Sequence, residues 1–322
     1  MFSFERDQDT ICAICTPPGR GAIAVLRVSG DRALQICREI AGFLPLNPES
    51  HKIYYGLLKD PQSRETIDEV LISYFAKGRS FTSEMTVEIS CHGGPAISQQ
   101  ILDALLAAGA RLAQNGEFTY RAFMSGRIDL VQAEGVLAAI ESQSALGARV
   151  SLRQLKGELS NTLTRIEDHL TWALSRLEAN LDFSSEFIEF ARESEIVERI
   201  TSAHSEVASL LGSYKKGRVL REGLKVALIG APNVGKSSLL NAIAQEERAI
   251  VSPVAGTTRD TVEVTISLAG QKVTLVDTAG IRETQDEIEA LGVARALSAA
   301  READLVIEVF DATEASGPPM LD

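Results

Sequence analysis

The stretch Gly230-Ala-Pro-Asn233-Val234-Gly235-Lys236-Ser237 holds the densest chemistry in the chain. It fits G-x-x-x-x-G-K-[ST] and stands where that motif works. The apolar run Lys225-Val-Ala-Leu-Ile229 precedes it, and the helical Ser237-Ser238-Leu-Leu-Asn-Ala-Ile243 follows. Glycines let backbone N–H groups wrap phosphates, and a helix N-terminus adds partial positive charge. Lys236 is placed to bridge the β- and γ-phosphates of a nucleotide, and Ser237 to hold Mg²⁺.

Two later segments complete the pattern. Ala255-Gly256-Thr257-Thr258-Arg-Asp260 offers a hydroxyl for Mg²⁺, and Asp277-Thr278-Ala279-Gly280 follows the strand-like Val273-Thr-Leu-Val276. A carboxylate at such a strand end reaches the metal through water, and the glycine reports on the γ-phosphate. In this order the three segments form the switch architecture of a GTPase. One position departs from the Ras pattern: Ile281 stands where a water-orienting glutamine is expected. Either another group serves, with Glu283, Asp286, Glu287 and Glu289 nearby, or the domain binds nucleotide without hydrolysing it. Most of those acids are expected to be simply solvated.

Other candidate groups carry less. Cys12-Ala-Ile-Cys15 has redox spacing, but Ile11 to Ile14 reads as a strand, whereas reactive pairs open helices. Cys91-His92 cannot by itself complete a zinc site of about four ligands. The 322 residues predict about two or three domains at roughly 150 residues each. With 32 basic against 44 acidic residues the net charge is −12, which argues against a general nucleic-acid coat. No apolar run approaches the ~18 residues of a membrane span and no leader pattern is visible, so a cytoplasmic protein is expected.

Three zones must position this chemistry. Residues 1–120 mix strand and helix signals, with strands expected in Gly21–Val28, Ile67–Phe75 and Met85–Cys91, and one helix over Ala96–Ala113. Next, Leu159, Leu163, Ile166, Leu170, Leu174, Leu177 and Leu181 recur at helical steps, as do Ile196, Ile200, Ala203, Val207 and Leu210. Two long helices are expected, with reversal near Asp182–Ser185. Beyond Arg221, strands alternate with helices, the pattern of a mainly parallel sheet. A hairpin is expected about Gly270, a helix over Leu291–Ala300, and a buried strand over Leu305–Phe310. Lys215-Lys-Gly-Arg218 with Arg221 reads as either a small basic patch or a hinge.

The nucleotide motifs resemble the GTPases that include Era, Der and the MnmE (TrmE) family. The first two zones select among these. Thr16-Pro-Pro-Gly-Arg-Gly21, Leu26-Arg27-Val-Ser-Gly30, Phe81-Thr82, Cys91-His-Gly-Gly94, Gly116-Glu-Phe118 with Arg121-Ala-Phe123, and Asp129-Leu with Gln132-Ala-Glu134 all resemble the tRNA-modification GTPases of the MnmE family. The resemblance covers essentially the whole chain.

It implies a multidomain α+β and α/β fold. Residues 1–121 would form an α+β folate-binding and dimerisation domain, 122–219 the first part of a helical domain, and 220–322 a P-loop G domain of the TrmE-Era-EngA type. That G domain is expected to be incomplete, because no guanine-reading Asn-Lys-x-Asp follows Asp311. The implied activity is K⁺-stimulated GTP hydrolysis by a homodimer. Partnered with the FAD protein MnmG (GidA) in a heterotetramer, it would add a carboxymethylaminomethyl or aminomethyl group at C5 of the tRNA wobble uridine. A 5-formyl- or 5,10-methylene-tetrahydrofolate would supply the carbon.

By the same resemblance Arg27, Glu88 and Arg127 fall at folate-contacting positions, with Arg127 where family members commonly carry Lys. Without the resemblance, an alternative is that Arg27 and Glu88 simply pair across strands. Asn233, Ser252, Val254 and Thr257 would ligate K⁺, and Ser237 and Thr258 would hold Mg²⁺. Val234, Gly235, Ser238, Pro253, Ala255, Gly256, Thr278, Ala279 and Gly280 would complete the GTP site, and Lys236 and Glu289 would act in catalysis. The alternatives are an Era/Der-like ribosome-assembly GTPase or a folate-binding dimerisation fragment with an inactive remnant.

Overall fold

The computed structural model describes residues 9–182, 191–230, 234–246, 262–277 and 300–310. The chain falls into two compact units, 1–133 and 134–322.

In the first unit the chain runs β1 (Ile11–Ile14), β2 (Ile23–Ser29), α1 (Ala33–Ile40), β3 (Lys52–Lys59), β4 (Thr66–Phe75), β5 (Thr86–His92), α2 (Pro95–Ala107), β6 (Arg111–Leu112) and α3 (Glu117–Met124). The strands form one sheet in the order β3-β4-β5-β2-β1-β6, antiparallel except for β1 with β6. Alternation in β2 sends Ala24, Leu26 and Val28 inward while Ile23 is exposed and Arg27 half-buried. The inward residues pack with Ile72 and Ile89 against Ile36, Ile40, Ile101 and Leu105 of α1 and α2. Each fully buried aliphatic side chain contributes about 1.5–3 kcal/mol. The opposite sheet face lacks these helices and carries the candidate site.

The helix expected over Ala96–Ala113 ends at Ala107. Gly109 turns the chain at φ +101, and Arg111 N–H then bonds Thr10 O at 2.9 Å as β6 joins the sheet. The apolar residues that extended the helical pattern there belong to a turn and a short strand.

After α4 (Leu130–Glu141), the second unit has α5 (Ala145–Leu155), α6 (Glu158–Asp182), α7 (Glu193–Glu222), β7 (Leu224–Ile229), α8 (Lys236–Glu246), β8 (Val262–Leu268), β9 (Gln271–Asp277) and β10 (Leu305–Glu308). Ser144 caps α5 by accepting the Gly147 N–H at 3.0 Å. The two long helices form as expected, and the reversal between them falls on residues 183–190, outside the described residues. Their stripe is only partly covered. Ile166, Ala173, Ile196 and Ala203 are buried, whereas Leu163, Leu170, Leu174, Leu177 and Leu181 are exposed.

The second sheet has the order β10-β7-β9-β8, with β10, β7 and β9 parallel and β8 antiparallel to β9. The hairpin about Gly270 is present. The strand near 305 is shorter than expected and not fully buried, since Leu305 and Ile307 are exposed. The helix expected over 291–300 lies almost wholly outside the described residues.

Candidate functional site

β7 and β9 run parallel with Leu228 opposite Asp277, so their C-terminal ends meet at one edge, as do those of β7 and β10. Ligands of open α/β sheets bind at such edges. Gly230 leaves β7 at φ +143, where a Cβ would stand 2.3 Å from Val309 O. No other residue fits there. Gly235 has φ +99, and α8 begins at the next residue. The Lys236 side chain is 5% exposed and its Nζ donates to Gly230 O at 2.8 Å, folding the ammonium back across the loop. Ser237 and Ser238 stand on the first turn of α8, whose N-terminal dipole favours an anion.

The structure therefore brings together Gly230, Val234, Gly235, Lys236, Ser237 and the main chain of Asp277. Asn233, Ser252, Pro253, Val254, Ala255, Gly256, Thr257, Thr258, Thr278, Ala279, Gly280 and Glu289 lie outside the described residues.

The second candidate site lies on the first unit's sheet. Arg27 of β2 stands opposite Glu88 of β5 in antiparallel register. Glu88 Oε1 accepts from Arg27 Nη2 at 2.7 Å and from Nε at 2.9 Å. The cross-strand pairing that the sequence allowed is thus present. Both side chains remain about one quarter exposed, at 24% and 28%. The guanidinium lies 5.5 Å from the Phe81 ring centroid and 5.4 Å from that of Phe118, within cation–π range. Neither ring had an assigned role in the sequence; their motifs were visible, but not their convergence on Arg27. Arg127 is exposed just after α3, its N–H donating to Ala122 O, and no ion pair joins it to Glu88 among the described residues.

Beside this pair, Ser29 Oγ lies 2.7 Å from Thr82 Oγ1 and donates to Glu84 Oε2 at 2.7 Å. Arg121 Nη1 reaches Glu84 Oε1 at 3.1 Å, and Nη2 reaches Glu117 Oε1 at 3.1 Å. Arg111 Nη2 closes on the same Glu117 oxygen at 2.7 Å. Burial favours the neutral form of Glu117. Hydrogen bonds from Arg111, the Gln114 N–H and Arg121 outweigh that and hold its carboxyl below the usual carboxylate range.

Cys12 is buried, which pushes its thiol up to about 12, while Cys15 is exposed; both are free. They lie at a strand rather than a helix N-terminus. Arg218 pairs with Asp304, and α7 runs without a break through Gly217, so this stretch is helix rather than hinge. Among the described residues no helix is long and apolar enough to cross a membrane.

Residues 10–127 match the family model described as GTP-binding protein TrmE N-terminus, and 225–319 match that of the 50S ribosome-binding GTPase. The tRNA modification GTPase MnmE of Bdellovibrio bacteriovorus is 51% identical over 318 residues, 98% of this chain and 66% of that protein. MnmE of Thermus thermophilus is 44% identical over 313 residues, 97% of this chain and 72% of the relative. The chain belongs to the MnmE family. It spans about two thirds of the length of these curated MnmE relatives. MnmE of Moorella thermoacetica adds a match of 46% identity over 94% of the chain and 66% of its own length. The ribosome-binding GTPase model covers only the second matched segment, and residues 10–127 match the TrmE N-terminus.

Proposed function

We propose that this chain supplies the nucleotide-hydrolysing and folate-binding parts of an MnmE-type enzyme. With an MnmG-type FAD protein it would add a carboxymethylaminomethyl or aminomethyl group at C5 of the wobble uridine in tRNA. The observation that carries the reading is the combination within one chain. A phosphate loop opens α8, and a polar Arg27–Glu88 pair lies on an open sheet face within the segment matching the TrmE N-terminus. The proposed domains are 1–121, 122–219 and 220–322, and the proposed compartment is the cytoplasm.

In the G domain, Lys236 would leave Gly230 O for the β- and γ-phosphates, with the N–H groups of the first turn of α8 completing the cradle. Water oxygen would bond to the γ-phosphorus while the bond to the β–γ bridging oxygen breaks, GDP leaving with the electron pair and a water proton passing to the released phosphate. Glu289 would orient that water, replacing the glutamine that Ile281 cannot mimic. Ser237 and Thr258 suit Mg²⁺, a hard cation that takes oxygen ligands, and Asn233, Ser252, Val254 and Thr257 would hold K⁺. Bound together, these cations would spread the charge of the transferring phosphoryl group.

In the first unit, Arg27 presents donors and Glu88 acceptors side by side, a donor set that fits the amide-like edge of a pterin ring. A bound 5-formyl- or 5,10-methylene-tetrahydrofolate would supply the one-carbon unit; Arg127 would join its site by moving its exposed side chain. Dimerisation through this unit is supported by Ile53, Tyr55 and Leu57 of β3 with Leu71 of β4, which expose an apolar stripe.

Calorimetric titration with 5-formyltetrahydrofolate tests the reading, using Arg27→Ala as control. Saturable binding that the variant loses is the expected result, and heats unchanged by the substitution would count against it. GTP turnover in K⁺ against Na⁺ buffer, with Glu289→Ala, tests the other half. The variant should keep its nucleotide affinity and lose turnover.

A further inference from the structure

The Arg27–Glu88 pair needs only β2 and β5 to form, yet two rings from outside the sheet also meet at it. Phe81 comes from the segment 76–85 between β4 and β5, and Phe118 comes from α3. Neither belongs to the apolar core between the sheet and α1 and α2. Their positions share one anchor. Glu84, three residues after Phe81, accepts from Arg121, and Arg121 binds Glu117, the neighbour of Phe118. The link between the two segments is the Glu84–Arg121 pair, in which Arg121 is 3% exposed and Glu84 23%, so it is buried on the α3 side and partly covered on the other. Thr82, next to Phe81, is fully buried against Ser29.

We propose that Phe81 and Phe118 are positioning residues: two rings, rooted in one ion cluster around buried Arg121, fix the Arg27 guanidinium against Glu88 and thereby set the edge that recognises the folate. The inference rests on the folate reading above. An arginine side chain has many rotamers, and ordering it before the ligand arrives removes that cost from binding. Stacking on aromatic faces suits a guanidinium, which is planar and weakly hydrated. The rings thus act on affinity through Arg27.

The test is made on the full chain with two readouts, 5-formyltetrahydrofolate titration and the rate at which phenylglyoxal labels Arg27, followed by mass spectrometry with exposed Arg20 as internal reference. Phe81→Leu and Phe118→Leu should each weaken binding about fivefold or more and speed Arg27 labelling by a similar factor. Phe118→Tyr, which keeps the ring, should restore both readouts, and Arg20 labelling should not change. Should Phe118→Leu fail to fold, Phe81→Leu decides. Arg27-dependent binding that both leucine variants retain at the parental strength, with unchanged labelling, overturns the proposal and leaves the folate reading standing. If the parental chain binds no folate, that reading falls. Labelling still separates the remaining cases: faster Arg27 modification in the leucine variants upholds the fixing of Arg27 by the two rings, and an unchanged rate overturns it.

Discussion

The imidazole Nδ1 of His92 lies 2.7 Å from Asp68 Oδ1, while the His92 backbone N–H donates to Asp68 Oδ2 at 2.8 Å. One residue of β5 therefore engages both oxygens of a buried carboxylate on β4. The hydrogen bond and charge of Asp68 raise the His92 pKa. Burial pushes Asp68 up, but the hydrogen bonds from His92 outweigh it and leave the carboxyl lowered. A raised histidine stabilises the fold fully below its ordinary value of about 6.5, and the contribution fades as pH rises through the native value. The lowered Asp68 contributes above its own ordinary value and loses that as pH falls through its native one. The melting temperature of His92→Gln should therefore fall further below that of the parental chain near pH 5.5 than near pH 8.5. Equal gaps at both values would rule out this coupling.

Arg121 joins Glu84 to Glu117 inside the first unit, and its replacement by Met leaves two carboxylates short of a partner. Breaking one side of a buried ion cluster costs about 3–5 kcal/mol. Urea unfolding of Arg121→Met should show a loss of that order. Replacement of exposed Arg153, paired with Glu158 at the surface, should cost under about 1 kcal/mol.

At Gly230 a methyl group meets Val309 O, and φ is positive. Gly230→Ala should cost about 1–3 kcal/mol in strain before any further displacement of β10. Nucleotide affinity, followed with a fluorescent GDP analogue, should fall in parallel. An alanine variant of parental stability would mean that the two strand ends do not approach this closely.

Lys236→Met removes the bond to Gly230 O along with the charge. Binding of the same analogue should fall by at least about tenfold, equal to 1.4 kcal/mol. The far-ultraviolet spectrum should hold, because the bond closes a loop and not a helix.

Much of this architecture was legible where one physical signal dominated. The strand, glycine turn and helix around Gly230 to Lys236 could be placed because the motif and the apolar run agree. β2, β4 and β5 were found through their alternation, to within about two residues at each end. β3 was missed because Ile53, Tyr55 and Leu57 are exposed while Tyr54 and Leu58 are covered, so apolar residues face both ways. α2 was overextended because Ala108 to Leu112 stays largely apolar past a glycine whose φ the sequence does not reveal. Of the ion cluster, only Glu117 and Arg121 stand at helical spacing. Glu84 and Arg111 join them through the fold, as do Phe81 and Phe118 around Arg27.

α7 reaches the phosphate loop with little slack. Its last residue is Glu222, Gly223 turns the chain at φ +95, and β7 begins at Leu224. The helix end is also tied sideways, since Gln271 Nε2 donates to Val219 O at 2.6 Å. Each residue of an α-helix advances it by about 1.5 Å and turns it by about 100°. The length of α7 therefore behaves as a dial that sets the azimuth of the nucleotide sheet about the helix axis. Adding two residues near its middle would swing that sheet by more than half a turn, while adding four would return it close to its starting angle, about 6 Å further along.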